Sequence, residues 1–455
     1  MATADVVVVG AGLSGLTAAI ALAHDGARVE VVARGNATTH WMPGGFDCGS
    51  FPGAASPSAA VEILEARAGH PYALLAPDLE RGLAFLRGVL KTEGLVYSGD
   101  LDGPLRAVPT AIGGTRRGGI VPDAQAAAME PWAARERLVV CGIAGFKDFS
   151  AGPMVASLRR ASVWGGDGLT ARPARIEAVE VELPDQKGRR NINALELGRG
   201  FDDPAWRRDA FERISRAVES TGRGPGRIGL PAVLGIAEHA AVLDDARRFL
   251  PLPPFEVPLV PPSLPGVRLY GALRAALLRR GGRLSIGEPV VRIETDGTRA
   301  TAVVLSAAVR ERRVRAGAIV LATGGIAGGG LIGRSDGRLE EPLLGLPVDA
   351  PPGDDWLADE AFPVEGHPLE LAGIRTDAEL RPVDSGGRSV FENVRVVGAM
   401  LAGHRAIRER SGDGVAIASG WRAAQSLRLG RAESERERPS RRGRRPAAAT
   451  PVARP

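Results

Sequence analysis

An α/β fold built on a parallel sheet, with a second domain inserted into it, is what this sequence predicts, and three observations predict it. A strand, glycine turn, helix and strand follow one another in residues 5–34. A second short apolar strand, Ala318–Ala322, runs into the glycine turn Thr323-Gly324-Gly325. Between these two units lies Pro251–Pro265, with 7 prolines, which divides blocks carrying their own strand and helix signals.

Taken in order, Val6–Val9 is a β-branched run suited to a strand buried on both faces, and Leu16–His24 is rich in the helix formers Ala and Leu. Gly26 ends that helix ahead of a second strand at Arg28–Ala33. Residues 59–92 read as helix, interrupted at His70-Pro71; Leu138–Ile143 reads as an apolar strand and Met154–Ala161 as a helix. The proline-rich stretch reads as a stiff, extended connection. After it come a helix at Val267–Arg280, strands at Val290–Glu294, Ala300–Ser306, Val309–Val314 and Val394–Val397, and a last helix at Gly414–Leu427. The expected organisation is a nucleotide-binding domain from residues 1–130 and 266–430, an inserted second or cap domain at 131–265, and a disordered tail at 431–455.

Composition narrows the function. The 455 residues hold 60 glycines, about twice the usual share, with no Gly-X-Y period, so tight turns and close backbone approach to a ligand are expected. The net charge of +5 lies in the tail, where Arg431–Pro455 has 8 Arg and 3 Glu; the first 430 residues balance 50 basic against 50 acidic side chains. A nucleic-acid binder concentrates its charge on a folded face, so that class is set aside. Two cysteines, Cys48 and Cys141, are too few for an iron–sulfur cluster or a structural zinc held by this chain alone, and no metal site is expected. No basic segment precedes the first apolar run, which makes a cytoplasmic location the expectation. Val6–Ala23 and Ala316–Gly333 are uncharged over 18 residues, but their glycines suit cofactor-facing backbone better than lipid.

Gly10-Ala11-Gly12-Leu13-Ser14-Gly15 is a GxGxxG turn after a buried strand and at the start of a helix. In such a turn the first glycine makes the bend, the second admits a phosphate to the backbone and the third lets helix and strand pack; free N–H groups and the helix dipole hold the phosphate. The acidic residue that would bind the adenosine ribose is missing, since Ala33 stands where the second strand ends. Glu30 is offset to the other face. Ala322-Thr323-Gly324 forms the second turn, and Gly398 followed by Ser411-Gly412-Asp413-Gly414-Val415-Ala416 the third. Three glycine turns in this order favour flavin over nicotinamide and a Rossmann-like, two-dinucleotide-binding flavoprotein fold.

Beyond the turns, the chain resembles the B-subunit family of anaerobic glycerol-3-phosphate dehydrogenases, flavoproteins related to the fumarate-reductase type, over about residues 4–430. The segments that carry the resemblance include Asp5–Leu16, Arg34–Asp47, His70–Leu75, Gly142–Phe149, Glu341–Leu346, Gly373–Asp377 and Glu392-Asn393. The resemblance implies a flavin-containing electron-transfer subunit of a quinone-linked complex that oxidises glycerol 3-phosphate to dihydroxyacetone phosphate. It implies a sister flavoprotein subunit carrying the substrate site and an iron–sulfur subunit anchoring the pair peripherally at the cytoplasmic face of the cell membrane. It associates the family with FMN, which fits Ala33, with FAD as the alternative. It also brings the Arg34, Gly44 and Gly45 loop to the flavin. The stretch His404–Ser411 departs from the family's uncharged, glycine-rich pattern. His40 and His404 are the weak candidates for acid–base roles, and Arg375 and Arg381 for anion binding; no paired carboxylates are recognisable as catalytic. The alternatives are an independent FAD-dependent oxidoreductase and a flavin-free structural subunit.

Overall fold

The computed structural model describes residues 2–160, 172–261, 263–306 and 310–437. The strand Ala2–Val9 forms the centre of a seven-stranded sheet. On one side it pairs in parallel with Val29–Ala33, which pairs in turn with Arg283–Ile286; on the other it pairs in parallel with Glu311–Leu321. Arg299–Ser306 and Val290–Asp296 extend the sheet antiparallel, and the short Val394–Val396 adds in parallel beside the end of Glu311–Leu321. Because Val6–Val9 is covered on both faces, each valine is at most 4% exposed. Burial of such a side chain is worth about 1.5–3 kcal/mol, which explains an unbroken β-branched run in place of an alternating one.

The helix Leu13–His24 connects the first two strands and lies against the helices Leu264–Arg279 and Gly412–Glu437. Tyr72–Thr92 packs on the same last helix, where Gly82 leaves room for Trp421 and Ile417. These elements enclose one apolar core.

A second core surrounds a four-stranded, all-parallel sheet in the order Pro254–Val257, Gly226–Pro231, Arg137–Ile143, Arg175–Val181. Helices Ala151–Arg160, Ala194–Asp202, Pro204–Glu219 and His239–Phe249 cover it. Its buried residues begin at Val108 and end at Leu264.

Several sequence expectations change. The proline-rich stretch is not only a connection: Pro254–Val257 is a fully buried edge strand of the second sheet, and Pro265 lies in the first turn of a helix, where a missing N–H costs nothing. Two strands expected at Val309–Val314 and Ala318–Ala322 are a single strand, Glu311–Leu321, because Gly317 sits where a side chain would press on the Asp5 carbonyl and so lets the strand run on beside Ala2–Val9. The last helix starts at Gly412 and continues past Gly430 to Glu437. Residues 438–455 of the tail, Ala161, Pro262 and Val309 lie outside the described residues. Among the described residues, no helix is long and apolar enough to cross a membrane.

Candidate functional site

The C-terminal ends of the parallel strands open on a cavity of about 1120 Å³. Pockets for small ligands commonly measure about 300–1,000 Å³, so this one suits something as long as a dinucleotide. Gly10, Gly12, Leu13 and Ser14 line it from the first turn, Arg34 from the end of the second strand, Ala322, Thr323 and Gly324 from the second turn, and Ala416 from the last helix. Gly10 has φ +114°, and a side chain there would collide with the Ala322 carbonyl. The first two turns are therefore locked together by backbone contact. Gly12 differs: a Cβ there would meet nothing nearer than Ala37 at 3.7 Å. Its openness is toward the cavity. Gly12 is also the N-cap of Leu13–His24, with no side-chain cap and no acidic residue in the first turn, so the helix N–H groups remain for an anion.

Other expected contacts stand one layer back. At Gly15 a side chain would strike the Gly10 carbonyl, which makes this glycine the one that brings helix and strand together. Gly44 has φ +109° and is packed between Pro122 and Pro265, while Gly45 lies on the Ile120 carbonyl. Gly398 backs Ser14 and donates its N–H to Ser419 Oγ at 2.9 Å. Gly414 is covered by Tyr72 and Cys48, and Val415 is fully buried. None of these lines the cavity.

The two histidines also lie off the cavity wall. His40 stacks on Tyr270 with ring centroids 4.3 Å apart, and burial lowers its pKa. Its Nε2 and the Tyr270 hydroxyl both lack a hydrogen-bond partner among the described residues. His404 is 5% exposed and edge-on to His70; burial, with His70 beside it, pushes its pKa down to about 4, so the ring is neutral. Arg381 pairs with Asp377 at 2.7 Å, and Arg375 approaches Asp349 at 3.7 Å. Both are engaged on the surface. Glu30 is buried against Arg312, away from the cavity.

The charged lining is what sequence reading missed. Asp47 and Asp413 both line the cavity, with Arg116 and Arg410. The Asp47 N–H donates to Asp413 Oδ2 at 2.9 Å, and the N–H groups of Asp413 and Gly414 donate to the Asp47 carbonyl. Arg116 Nη2 holds Asp47 Oδ1 at 2.5 Å. Asp413 has no cation partner among the described residues, and loss of solvent together with the Asp47 charge pushes its pKa up to about 7. The partners are 366 positions apart, so spacing could not reveal them. The available signal was an acid in the first turn of a helix that itself begins within a glycine turn. Glu341, also lining the cavity, instead closes its own turn by accepting the N–H groups of Leu343 and Leu344 at 3.0 and 2.8 Å.

The FAD binding domain family matches residues 5–415. The chain is 32% identical over 433 residues to the probable B subunit of the anaerobic glycerol-3-phosphate dehydrogenase of Halobacterium salinarum, covering 92% of this chain and 96% of the relative. It is 30% identical over 436 residues to the B subunit of the anaerobic glycerol-3-phosphate dehydrogenase of Yersinia pestis, covering 93% and 97%. To that of Vibrio vulnificus it is 27% identical over 436 residues, covering 92% and 95%. An uncapped helix start, interlocked glycine turns and a dinucleotide-sized cavity thus stand in a chain that belongs to the FAD binding domain family and, within it, to the B subunits of anaerobic glycerol-3-phosphate dehydrogenases.

Proposed function

We propose that this chain is the FAD-containing electron-transfer subunit of a quinone-linked anaerobic glycerol-3-phosphate dehydrogenase complex, which converts glycerol 3-phosphate to dihydroxyacetone phosphate. The observation that carries the reading is the meeting of the first two glycine turns and the last helix on one cavity beside an uncapped helix N-terminus. The residues fit the cofactor. Gly12 is the place where backbone lies open to a phosphate, and the N–H groups of Leu13 and Ser14 are placed to bind it. Thr323 and Gly324, with Gly412 and Ala416 at the start of the last helix, line the same cavity and would hold the rest of the ligand. The cavity reaches Arg34 and Asn36 beyond the second strand, a span that supports FAD over FMN even though Ala33 replaces the ribose acid.

Bound FAD supplies two-electron redox chemistry, and the protein's part is to bind, orient and shield it. Leu13, Met42 and Leu343 line the cavity with apolar surface that would keep water from a bound cofactor. Asp47, Arg116, Arg410 and Asp413 set the charge at the helix end. In this reading the turns at 10–15, 322–324 and 412–416 belong to a cofactor domain of residues 1–130 and 266–430, and residues 131–265 form a second domain. His40 and His404 serve packing, consistent with their neutral, cavity-remote settings. The substrate site belongs to a sister flavoprotein subunit, and an iron–sulfur subunit holds the pair at the cytoplasmic face of the membrane.

The test is steady-state oxidation of glycerol 3-phosphate with an artificial electron acceptor. The isolated chain is expected to give none, and the chain co-purified with its partner subunits to give turnover. Substantial turnover by the isolated chain identifies an independent dehydrogenase, and a folded chain that never binds flavin identifies a structural subunit.

A further inference from the structure

Glu256 is fully buried and Asp413 is half-buried in the cavity wall, yet of the two only Glu256 has an arginine of its own. Asp413 Oδ2 accepts one backbone N–H, from Asp47, and Oδ1 has no hydrogen-bond partner among the described residues, although the residue lines the cavity. Its access to solvent is through that cavity, so a ligand filling the space removes what hydration it has. An ionised carboxylate so placed, beside a second carboxylate, is costly unless it keeps a proton. Asp47 has a cation of its own, since Arg116 Nη2 binds its Oδ1 at 2.5 Å.

The Asp47 N–H and the Arg116 charge act in the opposite direction on Asp413, but desolvation and the Asp47 charge outweigh them. Tyr72 and Tyr97 are buried phenols and Cys48 a buried thiol, all held neutral by burial. Glu409 is occupied by Arg67, His70 and Ser411. Arg410 donates to the Arg117 carbonyl at 3.3 Å and feels the Asp47 charge.

We propose that Asp413 is a neutral carboxylic acid in the wall of the cofactor cavity, beside the Arg116-bound Asp47, and that its O–H donates a hydrogen bond to an acceptor atom on the polar ring edge of the cofactor. The role in recognition rests on the FAD reading; the place of the proton does not. A helix start ordinarily favours a negative charge. Here the proton turns that position into a donor, alongside the helix N–H groups, and makes cofactor affinity depend on pH.

Two measurements test it. The first is FAD binding to the cofactor-free full chain by fluorescence quenching. Affinity is expected to fall about tenfold or more between pH 6 and pH 9, as the acid loses its proton. Asp413→Asn, which keeps both the acceptor for the Asp47 N–H and a donor for the ligand, is expected to bind with little dependence on pH. Asp47→Asn removes the neighbouring charge and is expected to move the wild-type transition to lower pH. The second measurement is infrared difference spectroscopy of the cofactor-free chain: a deuterium-sensitive carboxylic C=O band present at pH 6, lost by pH 9, and missing in Asp413→Asn. A wild-type affinity independent of pH overturns the recognition role, and absence of the band at pH 6 overturns the neutral acid. A chain that binds no FAD at any pH overturns the cofactor reading and the recognition role together, while the band still decides where the proton lies.

Discussion

Strands of both sheets run into glycine turns, but the two turns differ in what stands beside them. In the first sheet, Gly12 faces open space. In the second, the strand Arg137–Ile143 runs into Gly145 at φ +78°, and a side chain there would collide with the Arg189 carbonyl, because the chain itself fills the place. Ile192 donates its N–H to the Gly145 carbonyl at 3.0 Å and closes the turn. A glycine turn after a buried strand is thus a ligand site only when no other part of the chain occupies the space. Two acids, the fully buried Glu256 and the half-buried Asp413, show a related contrast. Burial would raise the pKa of Glu256, but Arg268, bonded through both of its terminal nitrogens at 2.7 and 2.8 Å, outweighs it, and the net shift is downward. Asp413, with no arginine of its own, is shifted upward.

The largest effects come from the two glycines. Gly12→Val is expected to fold normally and lose flavin, with affinity reduced about a hundredfold or more; full flavin content would show that no phosphate sits there. Gly145→Val is expected to cost more than about 3 kcal/mol of stability through strain and overpacking. Urea unfolding measures it. A well-folded Gly145→Val chain would break the comparison, since the second turn would then have been open too.

Next comes the ion pair between the two cores. Arg268→Met strands the Glu256 charge in a fully buried site, at a cost of about 3–5 kcal/mol. Adding Glu256→Gln should recover much of that loss, because two neutral groups no longer leave a charge alone. If the double variant is no better than the single one, packing and not charge dominates at this contact.

The Asp413 shift predicts a smaller, pH-dependent effect. With its folded-state pKa raised from 3.8 to about 7, the folded chain holds a proton that the unfolded chain gives up. Its contribution is fully present below about pH 4 and is lost as pH rises through about 7. Relative to wild type, Asp413→Asn is therefore expected to gain stability progressively from pH 4 to pH 8. A difference that does not change with pH would place no proton on Asp413. The smallest effect belongs to the exposed pair Arg299–Glu392, where Arg299→Ala should change stability by less than about 1 kcal/mol.

Much of the cofactor side was legible in the sequence because it depends on neighbours along the chain. Val6–Val9, Gly10–Gly15 and Leu16–His24 carry strand, turn and helix in one short stretch. The second turn was equally local at Ala322–Gly324. What escaped depends on distant contacts. Pro254–Val257 is a strand because Gly226–Pro231 offers it a partner, and its prolines hid that. Gly44, Gly45 and Gly398 look like cofactor glycines in the sequence, yet their space is taken by Pro122 and Pro265, the Ile120 carbonyl and Ser14 respectively. The Asp47–Asp413 pair exists only once the last helix returns to the first turns.

The most direct test of the central claim is to purify the full chain, denature it and identify what it releases. The account predicts about one FAD per folded wild-type chain and little or none from Gly12→Val. A folded wild-type chain that releases no flavin, or one that releases only FMN, would contradict it.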